Sequence, residues 1–163
     1  MRLADGECFR FIREFDLRPV LADMDRLPFF RANVTGSDNN PKSYPCDVVL
    51  ADKFSPSLRQ LVEAVTETLG GETARAILRR LPPRQSIPPH IDAWMPAEAD
   101  WRRFQLPIVT HPDVVMRWPD DGVSVHLEPG SLYEVRYDRV HEVVHGADVA
   151  RVHLQIDQLE ATI

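Results

Sequence analysis

Two hydrophobic periods divide this chain. Leu58, Leu61, Val62, Val65 and Leu69 recur at helical spacing behind Ser55-Pro56, an N-cap and first-turn pair, and Gly70-Gly71 ends the run. This stripe predicts an amphipathic helix that covers a sheet. Pro19 opens a shorter helical pattern with Val20, Leu21, Met24 and Leu27 on one side, closed by Pro28. Between the two lies NVTGSDNNPKSYP, residues 33 to 45, polar and turn-rich; a loop of that length in a compact domain is read as a candidate lid. From Ala74 the period changes. ARAILRRL, RRFQLPIVT, VVMRW, VSVHLE, LYEVRY, HEVV and ARVHLQID are short β-rich runs separated by proline, glycine and aspartate, with Asp120-Asp121-Gly122 and Glu128-Pro129-Gly130 as turns. Such spacing predicts a closed or double-sheet antiparallel structure, a mainly β jelly-roll barrel with flanking helices. Residues 74–158 form the expected barrel core and residues 1–73 its helical and loop support, within one domain spanning 1–163.

At 163 residues a second full domain is excluded, and 44% hydrophobic with 27% charged residues is ordinary for a globule. A net charge of −6 argues against nucleic acid or anionic lipid as a partner. No apolar run approaches the ~18 residues that cross a bilayer, and the charged first residues are unlike a secretory signal. Cys8 and Cys46 are too far apart for a redox or zinc pair, so a reducing cytoplasm is the expected compartment. No GxSxG is present and neither cysteine neighbours a histidine, which removes the nucleophile classes.

All six histidines follow residue 89. His90-Ile91-Asp92 comes after Pro88-Pro89, where the chain is extended, so the imidazole and the carboxylate project to one face. With a distant histidine they would form the facial triad that holds non-haem Fe(II) and leaves three positions open; His141 is the chosen distal ligand. A solvated turn is the alternative for the HxD taken alone. Arg151, ten residues beyond His141, suits the second carboxylate of a dicarboxylic cosubstrate. Arg79 and Arg80 adjoin on a strand, so one points inward and needs an anion, from substrate, cosubstrate or a structural carboxylate, the last being favoured. His111, His126 and His153 are read as packing or surface residues, although His153 shares the face of Arg151. Trp94 is placed to wall a substrate pocket, while Trp101 and Trp118 are read as core or rim.

IPPHID, RRFQLPIVTHPDVV, LEPGSLYEVRYDRVHEVVH and ARVHLQID together resemble the core of the aspartyl/asparaginyl β-hydroxylase family of Fe(II)- and 2-oxoglutarate-dependent oxygenases, over Ala74 to Asp157. The resemblance implies a double-stranded β-helix of cupin-like type with iron on His90, Asp92 and His141 and the 5-carboxylate of 2-oxoglutarate on Arg151. It implies a place for Arg103 near the keto-acid end, with Gln105 where the family pattern has histidine; His145, where the pattern has asparagine, is either a substrate contact or a neutral surface change. Asp92 groups the chain with members that keep the metal carboxylate. The implied activity is a dioxygenase using Fe(II), 2-oxoglutarate and O2 to hydroxylate an amino acid, free or peptidyl, with an Asp- or Asn-type side chain favoured. The alternative is a cupin-like metal protein acting as an isomerase, another dioxygenase or a non-catalytic sensor. The sequence leaves the oligomeric state open.

Overall fold

Strand alternation in the last β-run is the key to the architecture seen in the computed structural model, which describes residues 3–34, 44–92 and 101–159. In strand β11 (Arg151–Leu159) every residue but the last is buried, yet Val152, Leu154 and Ile156 alternate with Arg151, His153, Gln155 and Asp157. A strand buried on both faces must have an apolar layer on one side and something able to satisfy charge on the other. The apolar side packs under the helices; the polar side faces a second sheet.

Two antiparallel sheets result. The larger runs β1-β9-β6-β11-β4-β3-β2 and the smaller β5-β10-β7-β8. The strands are β1 (Phe9–Glu14), β2 (Phe30–Val34), β3 (Tyr44–Leu50), β4 (Glu72–Leu81), β5 (Ile87–His90), β6 (Trp101–Val109), β7 (Val114–Trp118), β8 (Val123–Val125), β9 (Ser131–Val135) and β10 (His141–His145), followed by β11. Facing sheets of this kind form a double-stranded β-helix, the jelly roll expected from the sequence. All seven β-rich runs are strands. Residues 1–73, expected to be helix and loop, also supply β1, β2 and β3 to the larger sheet. FRFIRE and FRANV form its two edge strands, where one side of the ladder meets solvent and charged residues are tolerated.

The long helix α2 (Pro56–Leu69) starts as expected, with Ser55 Oγ accepting from the Leu58 N–H at 3.3 Å. Leu58, Leu61 and Val65 are buried against Leu78, Leu106, Leu154 and Ile156 of the sheet. Each such side chain stabilises the fold by ~1.5–3 kcal/mol. The shorter helix α1 (Arg18–Asp23) continues as a 3-10 turn, and Val20 is buried while Leu21 is 46% exposed. The expected lid has strand at both ends, and residues 35–43 lie outside the described residues. Among the described residues no helix is long and apolar enough to cross a membrane.

Between the sheets the apolar contacts form two separate groups. Cys46, Val48, Leu81, Ile87 and Val143 belong to one, and Met116, Trp118, Leu127, Tyr133 and Val135 to the other. The polar face of β11 lies between them. The imperfect alternation of β9 also has a cause: Glu134 is 3% exposed because Arg10 and Arg102 on the neighbouring strands both donate to its carboxylate.

Candidate metal centre

Pro88 and Pro89 hold β5 extended, and its last residue, His90, pairs with His141 of β10 across the smaller sheet. Their rings are 4.3 Å apart between centroids. Each ring is oriented by its own backbone: His90 Nδ1 donates to the Pro88 carbonyl at 2.8 Å and His141 Nδ1 to the Arg139 carbonyl at 2.9 Å. Because a carbonyl only accepts, both rings present a bare Nε2. Burial, with His90 close by, pushes His141 down to about 3, and burial also lowers His90. Both imidazoles are neutral at ordinary pH and keep the lone pair a metal requires.

Asp92 follows the end of β5, its backbone N–H donating to the Tyr137 carbonyl at 3.1 Å. That bond, rather than continued strand alternation, turns the carboxylate toward the histidines. Oδ1 lies 3.5 Å from His90 Nε2 and Oδ2 3.8 Å from His141 Nε2, and the three ligand atoms fall within 4.8 Å of one another. Two neutral imidazoles and one carboxylate on one side of a point suit non-haem Fe(II) with open positions for other ligands. The donor set therefore fits the iron that the sequence implies.

Arg103 is 4% exposed and joins this carboxylate to a second one. Its Nη1 donates to Asp92, and its Nε donates to Asp157 Oδ1 at 2.6 Å. Asp157 also accepts from Arg75 Nε at 2.9 Å and Gln155 Nε2 at 3.1 Å. Burial acts to raise the Asp157 carboxyl, but Arg103 and Arg75 hold it below the usual range. A continuous ionic chain, Arg75–Asp157–Arg103–Asp92, thus ends at the candidate metal position. The sequence reading missed Arg75 and Asp157. Their clue was the period-two series Arg151, His153, Gln155, Asp157, which puts a carboxylate on the face that carries the arginine.

Deeper in the barrel, Arg151 Nη2 donates to His153 Nδ1 at 2.8 Å, and Gln105 Oε1 lies 3.2 Å from the same nitrogen. Because the guanidinium must donate, the His153 proton sits on Nε2, a buried N–H with no hydrogen-bond partner. Burial, then the Arg151 charge, lowers His153 well below the ordinary imidazole value, so it stays neutral. His153, Arg151 and Thr110 line a small cavity closed by Val114, Met116 and Leu127. Thr110 Oγ1 is likewise buried without a partner. Unpaired buried donors are costly, so this corner is built for a polar group that the described residues do not supply. His153 is therefore a lining residue and no simple packing histidine, and Thr110 escaped notice altogether.

The remaining candidates separate. His145 is 3% exposed, with both ring nitrogens unpartnered among the described residues, and does not join the His90–Asp92–His141 group. Arg80 points outward onto Asp47 at 3.0 Å and over the Phe29 ring, and the structural carboxylate favoured for the inward arginine is not found on Arg79 among the described residues. Arg79 points inward. Trp94 lies outside the described residues. His126 Nδ1 donates to the Val114 carbonyl and His111 stands beside Asp113 near the surface, as structural histidines do.

Comparison with known proteins points the same way. The family described as aspartyl/asparaginyl beta-hydroxylase matches residues 48–160. No curated protein matches. Among solved structures, a prolyl-4-hydroxylase from Pseudomonas putida is 19% identical, with a TM-score of 0.66 over 95% of this chain and 93% of that one. A viral collagen prolyl hydroxylase from Paramecium bursaria Chlorella virus 1, solved with 2-oxoglutarate, is 10% identical, with a TM-score of 0.64 over 96% and 98%. The α-ketoglutarate-dependent epimerase SnoN from nogalamycin biosynthesis is 17% identical, with a TM-score of 0.67 over 97% and 80%. At these identities the structural likeness is one of fold.

Proposed function

Because the chain belongs to the aspartyl/asparaginyl β-hydroxylase family of 2-oxoglutarate-dependent non-haem iron oxygenases, we propose that it hydroxylates an unactivated carbon of an amino acid, free or within a peptide. The observation that carries this reading is the convergence of His90 Nε2, His141 Nε2 and an Asp92 oxygen on one point. His90, Asp92 and His141 would hold Fe(II), and Arg151, Thr110 and His153 would receive the distal carboxylate of 2-oxoglutarate. Fe(II), 2-oxoglutarate and O2 supply the oxidising power for carbon hydroxylation, with succinate and CO2 as coproducts.

The chain's own residues perform the positioning. The backbone-anchored rings of His90 and His141 keep Nε2 aimed without adjustment, and Arg103 holds Asp92 ionised and fixed in direction. Arg103, assigned by resemblance to the keto-acid end, acts in this reading through the metal carboxylate. Gln105 stands beside the His153 nitrogen that accepts from Arg151. His145, buried in the barrel, stays a candidate substrate contact. Trp94, two residues after Asp92, remains the substrate-wall candidate. Prolyl hydroxylases acting on peptides are among the solved structures of this fold, one of them bound to a hypoxia inducible factor peptide fragment. This supports a peptidyl residue as one form of the substrate, while Asp- or Asn-type side chains are favoured by the family.

Succinate release, measured with the iron-loaded enzyme against a panel of free amino acids and short peptides, tests the proposal. Stimulation by at least one member, with a mass gain of one oxygen in that compound, is the expected result. Oxidation of a panel compound without oxygen incorporation would replace hydroxylation by another oxidative outcome.

A further inference from the structure

Arg79 has an inward guanidinium and, among the described residues, no carboxylate on it. Alternation along β4 places Arg75, Ile77, Arg79 and Leu81 on the inner face, and the register sets Arg79 directly opposite His153 and Leu81 opposite Arg151. Arg79 acts on the Cys46 thiol, and its cross-strand partner His153 accepts from Arg151 Nη2 at 2.8 Å. Its Nε is buried without a hydrogen-bond partner. Among the described residues no carboxylate pairs with it: Asp157 is shared by Arg75 and Arg103, and Asp47 by Arg31 and Arg80.

Two arginines therefore flank His153, Arg151 bonded to its ring and Arg79 opposite it on the neighbouring strand. Like charges brought together away from water repel strongly unless an anion lies between them. Depth identifies the anion. Arg75 and Asp157 are partners at the level of the metal position, and Arg79 and His153 are partners four residues further along the same ladder, ~13 Å down the strands. A short dicarboxylate held at the metal by one end and an arginine side chain reaching back to its other end together span such a distance. A substrate arriving at the metal from solvent would not need that depth, whereas a cosubstrate lying inside the barrel would.

We infer that Arg79 and Arg151 together clamp the distal carboxylate of 2-oxoglutarate, which makes Arg79 a second cosubstrate residue. This rests on the cosubstrate assignment proposed above. Thr110 Oγ1 and the His153 Nε2–H complete a donor-rich end, and the doubled charge makes the distal carboxylate a strong requirement for binding.

Calorimetry on the full chain, loaded anaerobically with Fe(II), tests this by comparing 2-oxoglutarate with 2-oxopentanoate, the keto acid lacking the distal carboxylate. The variants are Arg79→Gln, Arg79→Lys and Arg151→Lys. Arg79→Gln should weaken 2-oxoglutarate ~10- to 150-fold, the value of a charge-assisted pair, and leave 2-oxopentanoate nearly unchanged. Arg79→Lys should fall between parent and Arg79→Gln, and it carries the test if the glutamine variant does not fold. Full 2-oxoglutarate affinity in both Arg79 variants, with loss in Arg151→Lys, overturns the clamp and leaves the cosubstrate site standing. A parent that binds the two keto acids equally overturns the cosubstrate site itself.

Discussion

Arg103 shows how one side chain links the metal position to the fold. It contacts Asp92 with Nη1 and Asp157 with Nε, so its charge is shared between a carboxylate that would bind iron and one that is completely buried. Removing one member of a buried ionic set costs ~3–5 kcal/mol, and the Arg75 contact that remains on Asp157 should place Arg103→Met at the lower end. Arg103→Met should lower the unfolding midpoint and weaken Fe(II) binding together. Arg103→Lys should recover more of the stability than of the metal affinity, because a point charge cannot make two directed contacts. Urea unfolding and anaerobic iron titration of both variants check this. Equal recovery of the two properties would show that direction at Asp92 does not matter. His90, Asp92 and His141 could be picked out from their spacing, although the bond to the Tyr137 carbonyl, not strand alternation, aims Asp92. Asp157 carried a clue in the period-two series of β11, whereas the place of Arg75 beside Arg103 emerges only from the register, which pairs Asp157 with both.

At the scale of elements, local signals sufficed where they were strong. The Ser55 cap, the apolar stripe and Gly70 define α2, and the seven β-runs from Ala74 onward are all strands. The three N-terminal strands were not legible. β1 carries three charges in six residues and β2 is short; both are edges whose pairing comes from β9 and β3. Partners distant in sequence, not local propensity, make them strands. Because α2 covers the side of the sheet opposite the metal centre, its stability and the site should be separable. Ser55→Ala should cost ~0.5–2 kcal/mol, the value of an N-cap, with iron affinity unchanged. A fall in iron affinity comparable to the fall in stability would mean that the helix positions the site as well as covering it.

The whole molecule carries an unusual polar interior for its size, and this predicts a pH response. His90, His141, His145 and His153 are held below the ordinary imidazole value, mainly by burial. In the unfolded chain they take up protons below a pH of ~6.5, while in the folded chain they resist. The unfolded state thus binds more protons, so stability is complete above ~6.5 and is lost as pH falls toward the low folded values, with His141 at about 3. Each such histidine adds up to ~1.4 kcal/mol per pH unit within that window. Urea midpoints of the metal-free protein should drop clearly between pH 7.5 and 5.5. A flat response over that interval would mean that the buried imidazoles do accept protons in the folded chain.

Metal binding by three specific side chains is the central claim, and anaerobic titration with Fe(II) and 2-oxoglutarate tests it most directly. The parent should develop the weak visible charge-transfer band of a keto acid on iron. His90→Ala and His141→Ala should give none while keeping the parent's far-ultraviolet circular dichroism, because the sheets and helices supply most of the stability. His145→Ala should keep the band, since His145 lies outside the converging group. Loss of the band in His145→Ala with its retention in His141→Ala would contradict the assignment of the metal centre.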